Sequence, residues 1–221
     1  MSVRIRGAIF DMDGTLGDTV FVSVEAIVRT VHQLTGQQYA HPEIIDRFGP
    51  TEPGILRQLL PQEKWEESER LFLAEYESIH QSHKIGAYAG IEEVLHLLKR
   101  HHIRQAIVTG KSRESAEISL CYYQLDGFFE AVETGSLTRS IKKDCIQKLV
   151  RGWQVPSEQV LYIGDAPSDV TIAKSAGVCP ISVAWADTAE LSQLEQRQPC
   201  AVFERVQDFK TWLVSQLNGH V

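Results

Sequence analysis

Between Gly90 and Trp185, short apolar runs alternate with segments of helical hydrophobic spacing, and this alternation restricts the fold more than any other feature of the chain. The strand-like runs fall at residues 103–109 and 131–133, then at VLYIGD from Val160 and ISVAW from Ile181. Helical spacing places Ile91, Val94, Leu95 and Leu98 on one face, and it continues over residues 112–123, residues 143–153 and a stretch closed by Gly177. Runs this short and this uniformly apolar bury both faces, as strands do in a parallel sheet covered by helices on each side. One more such run, residues 4–10, precedes the alternation and ends in the polar cluster DMDGT, the mark of a buried strand feeding a loop. The expectation is an α/β protein with a Rossmann-like parallel sheet and helices on both faces.

Between that first strand and the alternation lies a block with no strand pattern. Val20, Val24, Ile27, Val28, Val31 and Leu34 recur at helical spacing, with Asp18 as N-cap and Gly36 as stop. A short helix starts at Pro42 and ends at Gly49-Pro50, a second covers residues 55–60, and Trp65, Phe72, Tyr76 and Ile79 line a third. The organisation expected is therefore a core of residues 1–16 and 85–221, interrupted by an α-helical insertion at 17–84. A chain of 221 residues is long enough to bury both without a disulfide or metal staple.

Composition narrows the partners. Twenty-two Lys and Arg against 29 Asp and Glu give a formal net charge of -7, which excludes the clustered basic surface that nucleic-acid binding needs. No stretch approaches the roughly 18 apolar residues of a membrane span, and the apolar run near the N-terminus is broken at Asp11 and Asp13, unlike a signal peptide. Cys121, Cys145, Cys179 and Cys200 form no CxxC pair, so reduced thiols in a cytoplasmic protein are expected. The state expected is a monomer or homodimer.

In a sheet of this kind ligands gather beyond the carboxyl ends of the strands. That is where Asp11, Asp13, Thr109, Asp165 and Asp169 fall, with Lys142 at the start of a helix. Carboxylates converging on one sheet edge repel each other by about 4 kcal/mol per pair at ~4 Å and an effective dielectric of ~20. A cation must hold them together, and all-oxygen ligands favour Mg²⁺. Two carboxylates one residue apart then divide naturally into a nucleophile, Asp11, that attacks phosphorus, and a general acid/base, Asp13. Gly14 permits the tight turn, while Thr109 and Lys142 address the phosphoryl oxygens.

Taken together, FDMDGTL, VTGKS, the lysine at 142 and YIGDAPSD resemble the haloacid dehalogenase-like phosphatase superfamily, and the likeness covers essentially the whole chain. The resemblance implies Asp11 as nucleophile, Asp13 as acid/base, and Mg²⁺ held by Asp11, the Asp13 carbonyl and Asp165, with Asp169 in support. It also implies that Thr109, Gly110 and Lys142 bind phosphate and that the helical insertion caps the site. FGPT, YAGI and TGKS are similar to the subgroup of phosphoglycolate phosphatases and a related pyrophosphatase. Relatives usually carry Lys-Pro-x-Pro at the third motif where this chain has Lys142-Lys143-Asp144-Cys145, which leaves Lys143 as the alternative phosphate ligand.

The function expected is Mg²⁺-dependent hydrolysis of a small phosphorylated metabolite resembling phosphoglycolate. Pyrophosphatase, sugar-phosphate phosphatase or phosphomutase activity are the alternatives within the superfamily, and a non-catalytic phosphometabolite sensor the alternative outside it. Arg47, before FGPT, and Lys111, after Thr109, are candidate readers of a carboxylate or second phosphate on the substrate. His80 and His83 read as a polar helix end, and Trp65, Phe72 and Tyr76 as the core of the insertion.

Overall fold

The computed structural model describes residues 4–218. Its strands are β1 (Gly7–Phe10), β2 (Arg104–Val108), β3 (Ala131–Glu133), β4 (Val160–Gly164), β5 (Cys179–Val183) and β6 (Ala201–Phe203). They form one six-stranded sheet in the order β3-β2-β1-β4-β5-β6, with every neighbouring pair parallel. This is the expected α/β fold. β1 is shorter than the 4–10 run because pairing starts where its neighbours start: Gly7 is in register with Arg104 on one side and Val160 on the other.

Alternation along each strand feeds two apolar layers. On one face Ala8, Phe10, Ile107, Leu161 and Ile163 pack under α5 (Ile91–Arg100), α6 (Arg113–Tyr123) and α10 (Val206–Asn218). On the other, Ile9, Ala106, Val108, Val160 and Tyr162 pack under α7 (Lys142–Trp153) and α8 (Pro167–Ala176). A short α9 (Leu191–Gln196) leads into β6. Full burial of a Leu, Ile or Phe side chain contributes about 1.5–3 kcal/mol, so these two layers hold the sheet without help from a ligand.

Between β1 and α5 come α1 (Val20–Thr35), α2 (His41–Ile45), α3 (Glu52–Leu59) and α4 (Trp65–His83). These four gather an apolar cluster of their own around Val24, Ile27, Val31, Leu56, Phe72 and Tyr76. Gly36 ends α1 in the left-handed conformation at φ 73°. The N-cap of α1 is Thr19, not Asp18, and its hydroxyl makes no cap hydrogen bond because it is turned toward Asp13.

Two further expectations need correction. His80 is fully buried rather than a polar helix end, stacked on Tyr122 with ring centroids 5.0 Å apart. Cys179 and Cys200 are not free thiols but a disulfide pair with Cα atoms 6.2 Å apart, whereas Cys121 and Cys145 are free. Twenty-one residues separate the pair in sequence, but β5 and β6 are neighbours and the Cys200 amide donates to the Pro180 carbonyl at 2.8 Å. Among the described residues no helix is long and apolar enough to cross a membrane.

Candidate active site

β1 lies between β2 and β4, and the chain leaves its carboxyl end at Asp11. The Asp11 amide donates to the Ile163 carbonyl at 2.8 Å, extending the pairing by one residue and fixing the direction of the side chain. The Met12 amide in turn donates to Asp11 Oδ1 at 2.8 Å. Gly14 then turns back at φ 70°, and a Cβ there would collide with the Asp165 carboxylate. Glycine is required twice over, for its backbone conformation and for the approach of the loop to Asp165.

Asp165 follows β4, and Asp169 sits in the first turn of α8, where its Oδ2 accepts from the Ala166 amide at 3.2 Å. Lys142 opens α7 and reaches both strand ends: its Nζ is 2.5 Å from Asp11 Oδ2 and 2.8 Å from Asp169 Oδ1. Lys143 is exposed, so the lysine at the site is Lys142. Asp11, Asp165 and Asp169 each offer an oxygen within 4.8 Å of the others.

Crowding of these acids has an electrostatic cost. Burial pushes the Asp11 carboxyl up to about 7 against the pull of Lys142. Burial, and then the charge of Asp11, push Asp165 well above the carboxylate range. Burial works against the Lys142 ammonium, yet Asp11 and Asp169 beside it hold its pKa well above the ordinary value. One ammonium does not balance three buried carboxyls, and hard oxygen donors at this spacing are what a divalent cation such as Mg²⁺ accepts.

Asp13 points the other way, toward the helical insertion. Its Oδ1 accepts from the Thr19 hydroxyl and from Lys111 Nζ, the latter at 3.1 Å, which leaves Oδ2 open. Lys111 is only 2% exposed. Its ammonium also lies 2.8 Å from Ser23 Oγ, 3.2 Å from Glu52 Oε1 and 4.6 Å from the centre of the Tyr76 ring. Glu52, the first residue of α3, accepts from the Ser112 amide at 2.7 Å and from Ser115 Oγ at 2.8 Å. It thus enters the start of α6, where the helix dipole favours an anion.

Of the other expected residues, Gly110 lines the cavity, and Thr109 is buried beside it with its hydroxyl accepting from the Lys111 amide at 3.2 Å. Arg47 does not join them. It donates to the Glu43 carbonyl and lies 5.6 Å from the Tyr39 ring centre, outside the lining. Glu52, Ser23 and Tyr76 were not legible as site residues. Glu52 looks like an ordinary acid in a helix's first turn, and nothing local marks partners 60 residues away.

The cavity over these groups has a volume of about 330 Å³, at the small end for ligand pockets. Its floor is Asp11, Asp165 and Lys142, and its roof is formed by Val20, Phe48, Pro50, Glu52 and Ile55. Beside it, the Trp185 indole donates to the Thr15 carbonyl at 3.1 Å and so ties the Asp13–Gly14 loop to the segment after β5.

Residues 8–183 match the family described as haloacid dehalogenase-like hydrolase. Among curated proteins, the chain is 33% identical over 186 residues to a Caldanaerobacter subterraneus subsp. tengcongensis protein provisionally named pyrophosphatase PpaX, covering 83% of each chain. It is 25% identical to the pyrophosphatase PpaX of Bacillus mycoides, over 98% of this chain and 100% of that one. Among solved structures, a predicted phosphoglycolate phosphatase from Haemophilus somnus 129PT has a TM-score of 0.75 at 18% identity, covering 95% of this chain and 98% of that one. CbbY from Rhodobacter sphaeroides in complex with phosphate has a TM-score of 0.77 at 18% identity, covering 93% and 96%. These two likenesses are of fold.

Proposed function

The chain belongs to the haloacid dehalogenase-like hydrolases, and on that premise we propose that it is a Mg²⁺-dependent phosphatase of a small phosphorylated metabolite, working through an aspartyl phosphate. The observation that carries this reading is the division of Asp11 and Asp13. One carboxylate is set among Lys142, Asp165 and Asp169, and the other, two residues on, is turned to Lys111 and Thr19.

Mg²⁺ would be held by Asp11 and Asp165 with Asp169 in support. The Asp13 side chain is engaged elsewhere, so this residue would contribute its main-chain carbonyl. Bound there, the ion would offset charge on the phosphoryl oxygens during transfer. Asp11 attacks phosphorus, the ester P–O bond breaks as the Asp11 O–P bond forms, and Asp13 Oδ2 gives its proton to the departing alkoxide. Water then attacks the acyl phosphate while Asp13 takes back a proton, and inorganic phosphate leaves with Asp11 regenerated. Lys142 holds Asp11 in line and faces the same oxygens. Helices α1–α4 serve as a cap that excludes bulk water during transfer.

The experiment is steady-state hydrolysis of an aryl phosphate with Mg²⁺ and with EDTA. We expect metal-dependent phosphate release, reduced roughly a thousandfold or more in Asp11→Asn. Near wild-type turnover by Asp11→Asn at saturating Mg²⁺ would remove the covalent mechanism. Phosphoglycolate, which the resemblance implies, and pyrophosphate, which the relatives' names suggest, are the first natural substrates to try. Both carry a second anionic group beside the phosphoryl that is transferred.

A further inference from the structure

Resting on the phosphatase reading and deepening it, we infer that the preferred substrate is the monophosphate of a small uncharged alcohol, and that anionic leaving groups such as glycolate or a second phosphate are selected against.

The charge around the cavity carries this. Four carboxylates line it, Asp11, Asp13, Glu52 and Asp165, against two ammoniums, Lys111 and Lys142. With Asp169, which would touch the same ion, five acids face two ammoniums and one divalent cation, so the site holds no positive surplus before substrate arrives. The phosphoryl group brings its own negative charge beside Lys142, which already pairs with Asp11 and Asp169. Any further anion on the leaving group needs a cation of its own, because like charges placed together in a partly desolvated site cost several-fold in affinity.

The structure holds no such cation in reserve among the described lining residues. Lys111 is the one remaining ammonium, and it is committed on every side: Asp13 at 3.1 Å, Glu52 at 3.2 Å, Ser23 Oγ at 2.8 Å and the Tyr76 ring beneath. Glu52 is 5% exposed and bound to Ser112 and Ser115, so it is not free to release Lys111. Arg47, the other candidate reader of an anion, is turned to Glu43 and Tyr39.

What remains for the leaving group is apolar. Val20, Phe48, Pro50 and Ile55 come from the helical insertion and Ile172 from α8, with Ser140 and Ser168 offering hydroxyls at the edge. Phe48 is 45% exposed, a large apolar ring left facing the cavity mouth. Such a surface gains by covering carbon and can satisfy a hydroxyl or an amide. To a carboxylate it offers hydroxyl donors but no cation.

The test uses an isosteric pair. Phosphoglycolate and its carboxamide have the same size and the same reacting bond, and differ in one charge. With the full-length protein at saturating Mg²⁺, kcat/KM for the amide should exceed that for phosphoglycolate by about tenfold or more, with pyrophosphate below both. In Glu52→Gln, Lys111 regains a free donor, and the preference should move toward phosphoglycolate by about fivefold or more. Wild-type preference for phosphoglycolate or pyrophosphate, equal use of the isosteric pair, or a ratio unchanged in Glu52→Gln would overturn the proposal while hydrolysis of the aryl phosphate upheld the phosphatase reading. Failure to hydrolyse any of these compounds would sink that reading and this proposal with it.

Discussion

At Lys111 a single ammonium answers two carboxylates that come from different parts of the chain, Asp13 after β1 and Glu52 at the head of α3. Removing one partner of a buried ion pair leaves the other desolvated and unmatched, which costs more than the pair contributed. Lys111→Met, close in shape, is therefore expected to lower unfolding free energy by about 3 kcal/mol, read from urea midpoints at neutral pH. A loss below about 0.5 kcal/mol, the range of ordinary surface substitutions, would show that the cluster is solvated in practice. The contrast between Lys111 and Asp11 also shows where sequence reading succeeds. Asp11, Asp13 and Asp165 lie in the loops just beyond recognisable strands and Asp169 in the first turn of the helix that follows β4, and topology alone brings strand ends together. The partners of Lys111 are set by how α1, α3 and α4 pack over the sheet edge, and no spacing rule encodes that. Arg47 is placed by packing in the same way: its neighbours in sequence line the cavity, but its own side chain turns back along α2.

Helix α4 illustrates a reading that held in outline and failed in detail. Its apolar face of Phe72, Tyr76 and Ile79 was legible, whereas His80, one residue further round, was assigned to solvent. The ring is closed in by Tyr76, Tyr122 and Tyr123, with Ser119 Oγ 3.3 Å from Nε2 and no partner for Nδ1. Burial lowers its pKa from 6.5 to about 4. A main-chain hydrogen bond with Ile85 favours the protonated ring, and burial outweighs it. The folded state thus keeps His80 neutral while the unfolded chain takes up a proton near 6.5. Its stabilising effect is complete above that pH and is lost as pH falls toward 4, by at most about 1.4 kcal/mol per pH unit. His80→Phe keeps the stacking and removes the titration, so its stability should fall less than that of wild type between pH 7 and pH 5 in urea titrations. Parallel curves would refute the assignment. At the other end of the legibility scale, β6 and the helices around it carry too few apolar residues at strand spacing to announce themselves: β6 pairs over three positions. It is its place at the sheet edge, beside β5, that makes it a strand.

Over the whole molecule, the acidity of the chain takes two forms. Many of the 29 Asp and Glu are exposed, but the acids beyond β1 and β4 are crowded together, which raises the pKa of Asp11 and Asp165 and disfavours their charged forms until a cation offsets them. Metal binding should therefore be visible as stability. Mg²⁺ at about 100 times its dissociation constant is expected to add about 2.7 kcal/mol, a rise of roughly 5–10 °C in melting temperature for a chain of this size, reversed by EDTA. Asp165→Asn should lose most of that rise, and an equal rise in the variant would place the ion elsewhere. The measurement needs no substrate and is independent of turnover. The molecule also supplies a way to watch the same event at equilibrium. Because the Trp185 indole donates to the carbonyl of Thr15, whose own hydroxyl lies 3.4 Å from Asp165, any resettling of that loop alters the dipole next to the chromophore. Trp185 is thus an intrinsic optical probe of the loop. With Trp65, Trp153 and Trp212 replaced by Phe, its emission would report ion loading in real time, with no dye and no chemical label.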